Sequence, residues 1–91
     1  MKHARADYDR IQDPAHKIPE DEPVFLLRGQ DICAPRAVEV WATIAENMGA
    51  SPEIVRAARE QARRMRKWQE GQYKVPDMPK AAALNAEPRH D

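Results

Sequence analysis

Five residues near the middle of the chain, Gly49-Ala50-Ser51-Pro52-Glu53, end one amphipathic helix and begin another. Glycine after the last periodic residue can take the left-handed conformation that closes a helix. Serine then offers a capping hydroxyl, proline suits a first helical turn, and an early acid is favourable to the helix dipole. Two helices joined so tightly must pack on each other, as an antiparallel pair or as a helix-turn-helix. The chain is therefore expected to be mostly α, an antiparallel helical hairpin with an extended N-terminal segment packed on it.

From Pro35, placed at a first helical position, Ala37, Trp41, Ile44 and Met48 recur at i, i+4, i+7 and i+11. Val38 and Ala45 widen this stripe, while Arg36, Glu39, Thr43, Glu46 and Asn47 face the other way. The second helix runs to about Glu70, where Gly71 stops it. Its apolar face is Ile54, Val55, Ala58, Ala62 and Met65, with Trp68 at the flank; Arg56, Arg59, Glu60, Arg63, Lys67 and Glu70 form the opposite face. The spacing predicts a core of Trp41, Ile44 and Met48 against Ile54, Ala58, Ala62 and Met65. Trp68 fits either the edge of that core or, beside Arg64 and Lys67, a partner contact.

Outside the helices the pattern fades, and the chain divides into 1–23, 24–70 and 71–91. The first part is an extended arm, because Asp13-Pro14, Ile18-Pro19 and Glu22-Pro23 each bias the preceding residue away from helix. Tyr8 and Ile11 are its sizeable apolar anchors before Ile18. Val24-Phe25-Leu26-Leu27 follows as an extended run with no second β-rich run to pair with. A pair of helices cannot cover both of its apolar stripes, so this run is expected to lie across their groove. Residues 71–91 read as a tail docked by Tyr73, Val75 and Met78, with Ala81 to Ala86 as its one short helical candidate. Both termini are expected to be flexible.

At 91 residues and 42% hydrophobic, much of it alanine with a single Phe, the core must be thin, and help from a partner chain follows naturally. Charge is balanced, 15 bases against 15 acids, so no global field attracts nucleic acid or anionic lipid. The longest apolar runs are four residues, which predicts neither a signal peptide nor a membrane partner. Cys33, the sole cysteine, fits a reducing cytoplasm and is expected to be a small buried residue at a helix start.

Enzymatic chemistry finds little material. His3, His16 and His90 have no metal-ligand spacing, and the three glycines stand apart, so no phosphate loop exists. Consecutive Glu20, Asp21 and Glu22 diverge rather than converge on a substrate. We therefore expect no catalytic pocket, no metal and no cofactor.

The stretch TIAENMGASPEIVRAAREQ, residues 43–61, resembles the core of helix-turn-helix DNA-binding proteins, with Ile44-Ala45, Gly49 and Ile54-Val55 in the matching positions. The resemblance implies that Ser51, Pro52, Glu53 and Arg56 would lie nearest bases, and Arg59 or Arg63 nearest phosphates. Between Pro52 and Glu70 the bases Arg56, Arg59, Arg63, Arg64, Arg66 and Lys67 outnumber Glu53, Glu60 and Glu70, a net of +3. That charge could grip phosphate, or it could be a solvated face in which Glu60 pairs with Arg56, Arg63 or Arg64. Glu53 at a base-facing position and the zero net charge favour the second reading.

The layout of IPEDEPVFLLRGQD followed by WATIAENMGASPEIVRAAREQA also looks like small uncharacterised cytoplasmic proteins of bacterial and prophage genomes. That resemblance implies no particular activity and points to an accessory protein that works by binding another macromolecule. The sequence thus predicts a cytoplasmic, non-enzymatic accessory or inhibitor protein that binds another protein or a second copy of itself. Its contacts would come from Glu20, Asp21, Glu22, Arg56, Arg59, Arg63, Lys67 and Trp68. The alternative is a helix-turn-helix regulator binding nucleic acid.

Overall fold

A computed structural model of the chain describes residues 2–5, 7 and 13–77. It divides into two units, Met1–Leu26 with Asp77–Asp91, and Leu27–Pro76. The expectations for Tyr8, Ile11, Met78 and residues 81–86 lie outside the described residues.

Within Leu27–Pro76, helices α1 (Ala34–Asn47) and α2 (Pro52–Trp68) pack against each other. The turn between them closes as its residues dictate. Gly49 adopts φ +88°, its N–H reaches the Glu46 carbonyl at 3.1 Å, and the Ala50 N–H reaches the Ala45 carbonyl at 2.9 Å. These two bonds satisfy carbonyls that the end of α1 would otherwise leave open. Ser51 is extended, and its hydroxyl accepts from the Ile54 N–H at a long 3.5 Å. Pro52 opens α2, and Gln69 caps it before Gly71.

At the start of α1, Pro35 is the second helical residue rather than the first. Asp31 supplies the cap: its Oδ1 accepts from the Cys33 N–H at 2.8 Å and its carbonyl from the Ala34 N–H at 3.0 Å. Cys33 is exposed, against the expectation of a buried thiol, because it sits outside the first helical turn with its side chain uninvolved in the cap.

The segments flanking the helix pair are tied to each other. The Gln69 side-chain amide donates to the carbonyls of Gly29, at 2.9 Å, and Asp31, at 2.7 Å. The Lys74 N–H donates to the Gln30 carbonyl at 2.7 Å, and the Ile32 N–H to the Lys74 carbonyl at 3.0 Å, a parallel bridge between Asp31 and Lys74. The chain after α2 is therefore held by its backbone, while Tyr73 and Val75, the expected docking side chains, are exposed. Trp68 lies against Gly29, where an added Cβ would stand 3.7 Å from the indole, and is otherwise exposed.

The core of this unit differs from the predicted one. Its buried side chains are Ala34, Pro35 and Ala42 on α1 and Val55, Ala62 and Met65 on α2, with Val38, Ala45 and Ala58 half-buried beside them. Trp41, Ile44, Met48 and Ile54, all assigned to the core from periodicity, remain 50%, 56%, 82% and 46% exposed. At 100° per residue, the Ala42 arc of α1 lies about 100–160° from the arc of Trp41, Met48 and Ile44. Helix α1 is apolar over more than half its circumference, so the repeat alone does not choose which arc meets α2. Glu39 and Glu46, read as facing away, instead border the contact and bind Arg66 and Arg59 of α2. That rotation turns Ala42 inward and Trp41 outward.

The other unit comprises Met1–Leu26 and Asp77–Asp91. Strands β1 (Lys2–His3) and β2 (Pro23–Val24) pair in parallel, so the extended run has a partner within the chain that its lack of a second β-rich segment did not suggest. A two-residue ladder needs only backbone groups, which every sequence carries. Phe25 and Leu26 are exposed. The proline-rich arm is organised by Asp13, whose carboxylate accepts from the N–H groups of Lys17, at 3.1 Å, and Ile18, at 2.9 Å, around His16 at φ 50°.

The alanine interface generates a direct test. Ala62 is fully buried and Ala57, on the same helix, is exposed. Ala62→Leu should force the helices apart and cost about 1–3 kcal/mol in urea denaturation, whereas Ala57→Leu should stay within about 0.5 kcal/mol of the parent.

Candidate functional site

Two surfaces of the Leu27–Pro76 unit are candidates for a site, and they adjoin at Val40 and Ile44. The first is the basic side of α2. Arg66 grips Glu39 through both guanidinium nitrogens, with Nη2 to Oε1 at 2.7 Å. Arg59 does the same to Glu46 at 3.2 and 3.3 Å. Arg63 bonds to Glu60 one turn back, Arg64 stands 3.7 Å from the same carboxylate, and Lys67 lies 3.3 Å from Glu70. Five of the six bases counted from the sequence thus face an acid. Arg56 is exposed and, among the described residues, has no ion pair.

These pairs have an electrostatic signature. The hydrogen bond from Arg66 holds the Glu39 carboxyl below its ordinary pKa, and the bond from Arg59 does the same for Glu46. Both carboxylates are solvent-facing, so each pair contributes modestly and is screened by salt.

Arg36, Glu39, Val40, Thr43, Ile44, Arg59 and Arg63 line a groove of about 480 Å³ beside the pairs. A pocket joining several ionisable side chains was not expected, because residues distant in sequence only meet once the helices pack. Its charges are mostly matched: Arg59, Arg63 and the Glu39 carboxylate are each already paired, and Arg36 alone of the lining bases has no ion pair among the described residues.

The other predicted site residues are dispersed. Ser51, Pro52 and Glu53 are exposed at the start of α2, with the serine hydroxyl engaged in capping. Glu20, Asp21 and Glu22 are exposed in the Met1–Leu26 unit, at a turn in which the Glu22 N–H donates to the Pro19 carbonyl at 3.1 Å. Trp68 shares a shallow concavity with Arg64, Lys67, Glu70 and Gln72.

The second surface is the one periodicity had assigned to the interior. Ala37, Trp41, Ile44 and Met48 run along the outer side of α1 as an exposed apolar stripe, with Val40 at its edge. The signal that could have found it was present: alanines at 34, 42 and 45 mark an arc able to approach another helix closely, leaving the bulky arc for something else.

No protein-family model, curated protein or solved structure matches the chain. Among the described residues no group of three or more His, Cys, Asp or Glu side chains could hold a metal ion, and no helix is long and apolar enough to cross a membrane.

The ion pairs predict an acid limb in the stability profile. Because the folded-state pKa values of Glu39 and Glu46 are lowered, their contribution is present above the unfolded glutamate pKa of about 4.3. It is lost as pH falls through the folded values. Thermal melts between pH 7 and pH 3 should show a falling Tm over the lower part of this range. In Glu39→Gln/Glu46→Gln the neutral-pH Tm should be reduced and the acid limb shallower.

Proposed function

We propose that the protein is a non-enzymatic accessory or inhibitor protein of the cytoplasm that works by binding another protein through the outer face of α1. The observation that carries this reading is the exposure of Trp41, Ile44 and Met48 on one helix face. A solvated helix needs one apolar stripe about 100° wide. This helix has roughly twice that, half of it spent on α2. Large apolar side chains left in a continuous row mark a surface meant to be covered, whereas scattered ones would need no explanation. Trp41 at the centre of the row has the size and rigidity of a binding anchor.

The charges favour a protein partner over a nucleic acid. Phosphate grip draws on bases that are not already neutralised, and five of those on α2 face carboxylates of the same chain. The relation of the helices points the same way. Glu46 meets Arg59 near the turn, and Glu39 meets Arg66 seven residues further along each helix, about 10 Å away. Helices that stay in reach over that distance suit an antiparallel hairpin, whereas a helix-turn-helix crosses at about 90–120° and its helices diverge. The nucleic-acid reading keeps one supporting feature, Arg56 at the exposed start of α2, which has no ion pair among the described residues.

Two measurements separate the readings. Fluorescence anisotropy with duplex DNA at low and physiological salt should show no binding beyond that of a neutral control protein, and Arg56→Ala should change nothing. Tight, salt-sensitive binding lost in Arg56→Ala would reverse the ranking. Capture from a nuclease-treated source lysate should retain a protein with the parent chain and lose it with Ile44→Lys. Retention unaffected by Ile44→Lys would move the binding surface away from α1.

A further inference from the structure

Resting on that reading of the α1 face, we infer that its occupant is a second copy of this chain, with the two α1 helices packed antiparallel about a two-fold axis between Ala42 and Thr43. The stripe itself carries the argument. Ala37, Trp41, Ile44 and Met48 are spaced four, three and four residues apart, a pattern that reads the same in both directions. When the helix is turned end for end on itself, Trp41 comes level with Ile44 of the second copy and Ala37 with Met48. Two helices in contact along such alternating positions form the layers of an antiparallel coiled coil, each knob entering a gap opposite.

Side-chain sizes follow the same symmetry. The smallest member, Ala37, falls opposite the long, flexible Met48, and the broad Trp41 falls opposite the narrower, branched Ile44. Each layer therefore pairs a larger side chain with a smaller one, the arrangement that fills space without voids.

Charge also permits the contact. The positions bordering the stripe are Val40 and Asn47 on one flank and Val38 and Ala45 on the other, all uncharged; the guanidinium groups of Arg36, Arg59 and Arg63 line the groove beside Val40 and Ile44. The like-charged pair Glu39 and Glu46 would oppose each other in this register if they pointed into the contact. They face the other flank instead and are held there by Arg66 and Arg59. The ion pairs inside one chain thus clear the surface for its copy.

The area is sufficient. Val40, Trp41, Ile44 and Met48 are each between 41% and 82% exposed. With the Trp side chain at roughly 250 Å² and the others somewhat smaller, they present on the order of 500 Å² of apolar surface. Two copies face to face would remove about 1,000 Å² from water, the size at which a specific interface begins. The result is a four-helix arrangement in which α1 of each chain contacts both its own α2 and the other α1.

Sedimentation equilibrium of the full chain tests the proposal, from about 5 to 500 μM, a range that brackets micromolar affinity. The parent should approach twice the 10.4 kDa of one chain, and Ile44→Lys should remain at one chain mass with its far-ultraviolet helix signal unchanged. Lysine is tolerated there in a single chain because Ile44 is already more than half exposed. The register is tested in a Cys33→Ser background by mixing an Ala37→Cys chain with a Met48→Cys chain under oxidation. A disulfide-linked heterodimer should form at least several-fold in excess of either homodimer. Self-linkage of Ala37→Cys alone would overturn the antiparallel register, and a parent that stays monomeric throughout would overturn the dimer. If that monomeric parent still loses its captured protein on Ile44→Lys, the protein-binding reading stands without the second copy. A dimer untouched by Ile44→Lys would overturn the assignment of this face to self-association, and capture equally untouched by it would overturn the interaction reading as well.

Discussion

The rotation of α1 about its own axis decides most of what this protein presents to its surroundings. It is marked by two bidentate contacts, Arg66 on Glu39 and Arg59 on Glu46, which exist only when the alanine arc faces inward. Exposed ion pairs are individually weak. They matter here because the apolar circumference of α1 offers two arcs, and the pairs are compatible with one. Alanines at 34, 42 and 62 then allow close backbone approach, and the bulky residues are left outside.

A unit built on small side chains has little apolar burial to spare. Its flanking segments are accordingly fixed by hydrogen bonds rather than by packing. Gln69 joins the end of α2 to the turn before α1, and the Lys74 backbone closes the same region from the other side. Trp68 contributes by resting on Gly29, one of the few places where a large aromatic ring finds cover. The stability of such a unit would rise with any partner that covers the outer face of α1, since binding to the folded state alone adds to apparent stability.

The distribution of charge follows from the same geometry. A helix carrying a net of +3 could, from its sequence alone, grip phosphate or present a solvated face. Packed beside α1, it spends Arg59 and Arg66 on the neighbouring helix and Arg63, Arg64 and Lys67 on acids of its own vicinity. What remains is a trough of mostly paired charges bordered by Val40 and Ile44 of the apolar stripe.

The sequence by itself determined the turn that separates the two helices, because that decision is local. Gly49, Ser51 and Pro52 act through their own backbone freedom and hydrogen bonds, and the turn closes through the bonds their types require. It also determined that α1 and α2 must meet and that Glu60 stood at helical spacing from Arg56, Arg63 and Arg64, of which it meets the last two. Only the tertiary structure decided which arc of α1 is interior, since the repeat that carries Trp41, Ile44 and Met48 overlaps the one that carries Val38, Ala42 and Ala45. The pairing of Val24 with His3, the backbone dock at Lys74 and the exposure of Cys33 were likewise beyond the sequence. Each depends on backbone groups or side chains whose neighbours come from elsewhere in the chain, and composition and spacing carry no record of those meetings.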